Sequence, residues 1–313
     1  MTYDPAARAA AGPGGVTPPG PPAFPDRPDS DDASSNDVSS SAGGELPTSA
    51  GPAGTGGTVD RALVPLPAEL TDAAQTLFGE RLDLAVAYAE LLATDGVVRG
   101  LIGPREAPRI WERHLLNCAA VTELIPVGRS VVDVGSGAGL PGIVLAIARP
   151  DLSVTLVEPL ARRTAFLTEA VSALGLESSV TVLRARAEEV AGGGIGGDLA
   201  LADVVTARAV APLDRLAGWC LPLAAPGGRV LAMKGSSAGE EIVDHAVAVA
   251  RLGGGHPVLH QCGVGLLDPA TTVVEIVRER AVGPSGSRTA RSTRRAATRT
   301  EPDRRGAGRA RRR

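Results

Sequence analysis

The spacing of apolar residues changes near residue 130. Ahead of that point it is helical. Leu82, Leu84, Ala85, Tyr88, Leu91 and Leu92 recur at helical intervals, and Pro67–Gly100 is predicted to form two helices. A second stretch, Ala107 to about Leu124, places Ile110, Trp111, His114, Leu115, Cys118 and Val121 on one face of a helix. Beyond residue 130 short apolar runs alternate with helical segments. Strands are predicted at 131–134, 153–157, 180–183, 204–206, 229–233, 258–261 and 272–278. Helices are predicted at 143–148, 161–174, 213–220 and 240–251. Such alternation implies an α/β fold with a mostly parallel sheet, helices on both faces and an N-terminal helical extension. No helix separates the last two strands, so they are predicted to form an antiparallel hairpin at one edge.

Composition sets the limits of the folded region. Residues 1–60 contain ten Pro, ten Gly and a net charge of −6. Such a segment buries too little apolar surface to offset its ordering entropy, and it is expected to be a disordered acidic tail. Residues 281–313 carry eleven arginines and a net charge of +9 without hydrophobic period, and are also expected to be disordered. A flexible arginine arm suits counterion-releasing contacts with phosphates. One folded domain remains, residues 61–280, with a net charge of −6. No apolar run is long enough to cross a membrane, and no signal pattern opens the chain, which points to a cytoplasmic protein. Cys118, Cys220 and Cys262 have no metal or redox spacing and are expected to be buried thiols. No metal site is expected.

The strongest motif is Val131-Val132-Asp133-Val134-Gly135-Ser136-Gly137-Ala138-Gly139-Leu140-Pro141-Gly142. A buried strand runs into glycines that allow a sharp turn and a close backbone approach to a ligand. Two ligands fit. Gly137-x-Gly139-x-x-Gly142 matches the dinucleotide fingerprint, and Asp133-x-Gly135-x-Gly137-x-Gly139 matches the loop of S-adenosylmethionine enzymes. Glu158, at the end of the second strand, suits a ribose in either case. Three features favour S-adenosylmethionine. Asp133 ends the first strand, where it can accept from the donor's amino group or an ordered water. Ala187-Glu188 follows the third strand, where adenine is held in such enzymes. Pro226-Gly227-Gly228-Arg229 makes a tight turn into the fifth strand.

Arg113-His114-Leu115-Leu116-Asn117, the Asp133–Gly142 loop, Arg186-Ala187-Glu188, Ala207-Arg208-Ala209 and Lys234-Gly235 occur in that order. Together they resemble the small-subunit ribosomal RNA methyltransferase G family, also called glucose-inhibited division protein B, over about residues 80–280. The resemblance implies a Rossmann-like fold dependent on S-adenosylmethionine and a monomer. It implies methyl transfer to N7 of one guanine in 16S rRNA, near the decoding centre, giving 7-methylguanosine. It places Gly135 and Leu140 in the donor loop, Ala187 and Glu188 beside adenine, and Arg208 as a binding residue after the fourth strand. Many members carry Asn-Leu-Thr before the Arg-His pair. Here Gly100–Glu106 stands instead.

Guanine N7 is neutral with an in-plane lone pair, so its methylation requires alignment rather than a general base. No His–carboxylate pair or Ser–His–Asp set is legible in the sequence, and no Asn/Asp-Pro-Pro-aromatic motif for exocyclic amines follows the fourth strand. Arg208 is the expected residue at the junction of substrate and donor. Lys234, the single lysine of the chain, is expected at a strand tip as a phosphate contact near the reaction. Arg113, His114, Arg162 and Arg163 are further candidates for RNA contact; for His114 a hydrogen-bonded packing role competes. The substrate that the resemblance implies is 16S rRNA or the assembled small subunit. Alternatives are a methyltransferase acting on a small molecule or protein, and a non-catalytic module binding S-adenosylmethionine or NAD.

Overall fold

A computed structural model describes residues 64–191, 199–208 and 211–281. Both tails assigned from composition lie outside these residues except for Ala281, as do residues 61–63 at the domain's start. Seven strands form one sheet in the order β3-β2-β1-β4-β5-β7-β6. They are β1 (Ser130–Val134), β2 (Ser153–Val157), β3 (Val180–Leu183), β4 (Ala202–Arg208), β5 (Ala224–Met233), β6 (Val258–Cys262) and β7 (Thr271–Val277). β1 to β5 are parallel. β7 runs antiparallel to both β5 and β6, which is the expected edge hairpin, with its second strand lying inside.

Strand side chains alternate between two cores, as a sheet covered on both faces requires. Val131, Val154, Leu156, Val204 and Leu231 pack on one side. Val132, Val134, Val205, Val230 and Ala232 pack on the other. The first core is covered by α1 (Thr71–Phe78), α2 (Leu82–Leu91), α3 (Asn117–Ala120), α4 (Gly142–Ala148) and α5 (Ala161–Ala173). The second is covered by α6 (Ala187–Ala191), α7 (Leu213–Cys220) and α8 (Ala238–Arg251). Gly142 to Ile147 of α4 are all buried, because α1, α2 and α3 lie over that helix. The N-terminal extension is therefore part of the core rather than an appendage. All three cysteines are buried and free, and burial pushes their thiols up. No helix of the described residues is long and apolar enough to cross a membrane.

Three elements depart from the pattern reading. The helix expected over 107–124 is broken into a 3-10 turn, π-helical turns over Ile110–Leu116, the short α3 and a final 3-10 turn. Its buried face is still Ile110, Trp111, Leu115, Cys118 and Val121, as the spacing predicts. The wider turns add a residue per turn, a feature frequent at functional sites. The helix α6 was not predicted, since five residues carry too little periodicity. Finally, β5 begins at Ala224, with Pro226–Gly228 bulged out where its register with β4 shifts.

Candidate active site

Strand order reverses between β1 and β4, because β2 and β3 extend one way and β5 the other. In open α/β sheets ligands bind beyond the carboxyl ends of the strands at such a switch point. Two cavities open there. One of about 300 Å³ is walled by Gly135, Gly137, Ala138 and Leu140 of the loop after β1, with Leu101, Ile102, Arg163 and Arg208. The other, of about 1070 Å³, runs between the Ile110–Leu116 turns and the ends of β5 and β7, with Arg109, Arg113, Arg208, Lys234 and Thr271 in its wall. Arg208, the last residue of β4, borders both.

The glycine loop is braced from below. Asp133 has no exposed surface. Its Oδ1 accepts from Thr206 Oγ1 at 2.9 Å and its Oδ2 from the Gly142 amide at 3.2 Å. Where a donor contact was the expectation, Asp133 faces the interior and ties β1 to β4 and to the start of α4. Burial pushes its carboxyl up to about 6, against the hydrogen bond from Thr206. Glu158, only 1% exposed, is likewise tied to the loop. Its Oε2 accepts from the Gly137 amide at 3.0 Å and its Oε1 from the Leu160 amide at 3.1 Å. A ribose contact would share a carboxylate already committed to the loop.

The loop glycines divide in two. A Cβ on Gly137 would meet nothing closer than 3.8 Å, so this position faces open space in the smaller cavity. A Cβ on Gly139 would lie 2.5 Å from Ile143 Cδ1 and 2.7 Å from Tyr88 Oη, so this side of Gly139 packs against the protein, and the residue is not in the wall of the smaller cavity. Tyr88, fully buried on α2, donates its hydroxyl hydrogen bond to the Ala138 carbonyl. Tyr88→Phe leaves that buried carbonyl without this donor, and is expected to cost about 1–3 kcal/mol of stability. Urea unfolding checks it, and an unchanged midpoint would remove Tyr88 from the support of the loop.

Arg208 Nη1 donates to His114 Nδ1 at 2.9 Å, which places the His114 proton on Nε2. That nitrogen makes no well-aligned hydrogen bond among the described residues and lies 3.4 Å from Glu106 Oε2. His114 faces Arg208 and Glu106 and is not in the wall of the larger cleft. Burial lowers its pKa to about 4, assisted by the Arg208 charge. Between the ordinary value of 6.5 and about 4 the unfolded chain binds more protons at this residue than the folded protein. This group's contribution to stability therefore falls as pH drops through that window. Asp133, raised by burial, acts with the opposite sign, so the two partly offset. His114→Leu is expected to lose less stability than the parent between pH 6.5 and 4, and equal slopes in urea unfolding would contradict the neutral assignment.

The other expected residues are scattered. Lys234 is 6% exposed, and its Nζ is 2.7 Å from both the Ala211 carbonyl and Glu241 Oε2. Glu241 Oε2 also accepts from the Leu213 amide. Lys234 thus lies in the wall of the larger cleft, as expected of a strand tip, with its ammonium engaged in bracing the chain between β4 and α7. Arg113 borders the larger cleft, 3.4 Å from Glu106 Oε1. Arg163 borders the smaller cavity, 3.8 Å from Glu158 Oε2, whereas Arg162 is exposed on α5. Ala187 is buried and Glu188 exposed, and neither borders the smaller cavity. Arg109, which no motif singles out, also lines the larger cleft; it lies four residues before Arg113 and so shares its side of a helical turn. His–carboxylate pairs, not legible in the sequence, do form: His114 with Glu106, His245 with Asp214 at 3.8 Å, and His260 with Glu275 at 2.8 Å. Among the described residues no cluster of metal ligands occurs.

Comparison with known proteins supplies the family. Residues 81–265 match the family model described as rRNA small subunit methyltransferase G. The protein of that name from Salinispora tropica is 70% identical over 228 residues, covering 73% of this chain and 94% of its own length. Its namesake from Streptomyces avermitilis is 54% identical over 230 residues, covering 71% of this chain and 94% of its own. The crystal structure of a methyltransferase from Pyrococcus furiosus overlaps 60% of this chain and 100% of that chain at 13% identity, with a TM-score of 0.39. With the family model matched over residues 81–265 and relatives matched over nearly their whole length, the chain belongs to the rRNA small subunit methyltransferase G family.

Proposed function

We propose that the protein transfers a methyl group from S-adenosylmethionine to N7 of one guanine in 16S rRNA, with the donor in the smaller cavity and the base in the larger cleft. The observation that carries this reading is the place of Arg208, which borders both spaces. The residues present fit the donor. Gly137 leaves the cavity open at its Cβ position, and Gly135, Ala138 and Leu140 offer backbone and apolar surface. The volume of about 300 Å³ lies at the lower end of the range for small-molecule sites. Bound there, the donor supplies an electrophilic methyl group on a sulfonium.

The protein's task is alignment. N7 attacks through a lone pair that is free at neutral pH, so no proton has to leave before the methyl moves. His114 is held neutral with its Nδ1 already engaged by Arg208, and it is no free base. Arg208 can donate through its forked N–H groups to the guanine O6 or to an adjoining phosphate, fixing the base against the donor cavity. Arg109 and Arg113, each ion-paired with a glutamate (Glu112 and Glu106), offer N–H donors in the cleft wall where a phosphodiester backbone would pass. Leu101 and Ile102 cover the donor side and keep water from it.

Labelled S-adenosylmethionine and 16S rRNA from cells lacking this gene test the reading, with naked RNA and small subunits compared directly. Label is expected at a single guanine, at a site cleaved by 7-methylguanine chemistry. Donor binding without label on either substrate would overturn the assignment of the cleft.

A further inference from the structure

We infer that His114 is a positioning residue: with Glu106 behind it, it holds the Arg208 guanidinium between the donor cavity and the substrate cleft. A long arginine side chain loses considerable freedom when fixed, so its orientation needs a partner. Among the described residues the only side chain bonded to Arg208 is His114, through Nδ1 at 2.9 Å, and no carboxylate lies within ion-pair distance of it. The choice of partner matters. A carboxylate would hold the guanidinium and cancel its charge. A neutral imidazole holds one N–H and leaves the charge for an incoming phosphate or base.

The arrangement works only if Nδ1 lacks a proton. Glu106 Oε2 sits on the Nε2 side at 3.4 Å and favours the proton there. Burial and the nearby Arg208 charge both oppose a second proton, and Arg113 adds to that opposition. Glu106 closes the same segment whose Leu101 and Ile102 wall the donor cavity. The stretch that departs from the common family pattern thus contributes to the donor wall at one end and to the orientation of Arg208 at the other.

The inference rests on the methyl-transfer reading of the cleft, and two readouts separate them. Transfer to small subunits is measured at saturating S-adenosylmethionine for His114→Leu, His114→Asn and Glu106→Gln. His114→Leu removes the acceptor and is expected to lower kcat about 30-fold with KM for subunits changed less than about threefold. His114→Asn keeps a neutral acceptor near the Nδ1 position and is expected to recover most of that loss. Glu106→Gln is expected to lower kcat about threefold, and it carries the test if His114→Leu does not fold. A raised KM with kcat intact would make His114 an RNA contact, and folded His114→Asn no better than His114→Leu would overturn the positioning role. If the parent protein transfers no methyl group, the cleft reading fails. Nitrogen NMR of the Arg208 guanidinium then still decides the contact: hindered rotation in the parent and free rotation in His114→Leu are expected, and free rotation in both would overturn it.

Discussion

Arg208→Ala is expected to lower methyl transfer to small subunits by at least about 100-fold, the scale of removing one preorganised donor from a reacting centre. Donor affinity is expected to fall by no more than about tenfold, because the loop backbone remains. The fold is expected to survive. Arg208 is half-buried at the tip of β4, and its side chain bonds only to His114 among the described residues, so its loss leaves no buried ion unpaired. The His114 Nδ1 it vacates can take a water from the adjoining cleft. Arg208→Lys keeps the charge but not the fork, and should recover only part of the activity. Single-turnover transfer together with a melting curve checks all three statements. Parental turnover in Arg208→Ala would remove this residue from the site.

The second large effect concerns stability. Gly139→Ala is expected to cost about 3 kcal/mol or more, from left-handed strain and overpacking combined. Gly139 has φ +91°, and its added Cβ would stand 2.5 Å from Ile143 Cδ1 and 2.7 Å from Tyr88 Oη. For a domain of this size that is a fall in Tm of roughly 10 °C. Gly137→Ala has a different signature. Its φ is +57° and its Cβ would meet no atom closer than 3.8 Å, so strain of about 1–2 kcal/mol is the whole stability cost. Its larger effect should fall on donor affinity, because the methyl group would enter the cavity walled by the loop. Calorimetric unfolding and donor titration of the two variants should separate them. Equal Tm values would contradict the division of the loop into an inner and an outer glycine.

The sheet and the loop were legible because they rest on short-range pattern. Runs such as Val131–Val134 and Ser153–Val157 are bounded by turns, and the glycines after β1 have a fixed spacing. The contacts inside the site were not legible, because they join residues far apart in sequence. Arg208 meets His114 across 94 positions, and Thr206 meets Asp133 across 73. Asp133 was expected to meet the donor because a carboxylate at a strand tip suits an amine. Which way it faces depends on β4 arriving alongside, and no local pattern encodes that. Lys234 shows the same limit. Its partner Glu241 is only seven residues on, but the bond depends on how α8 folds back over the end of β5. The resemblance supplied the order of the motifs and so the family, without the direction of any side chain.

The position of β7 bears on how the protein is made. β6 contacts the sheet through β7 alone, and β7 also supplies Thr271 and Thr272 to the wall of the larger cleft. Thr271 Oγ1 bonds to Asn117 Oδ1, and the Lys234 amide bonds to the Thr272 carbonyl. During synthesis, the five parallel strands can therefore assemble around the glycine loop while the outer side of β5 still lacks its neighbour. The part of the cleft wall that Thr271 and Thr272 supply is completed only when the last strand emerges and inserts. Until then β5 is an open edge able to pair with another chain.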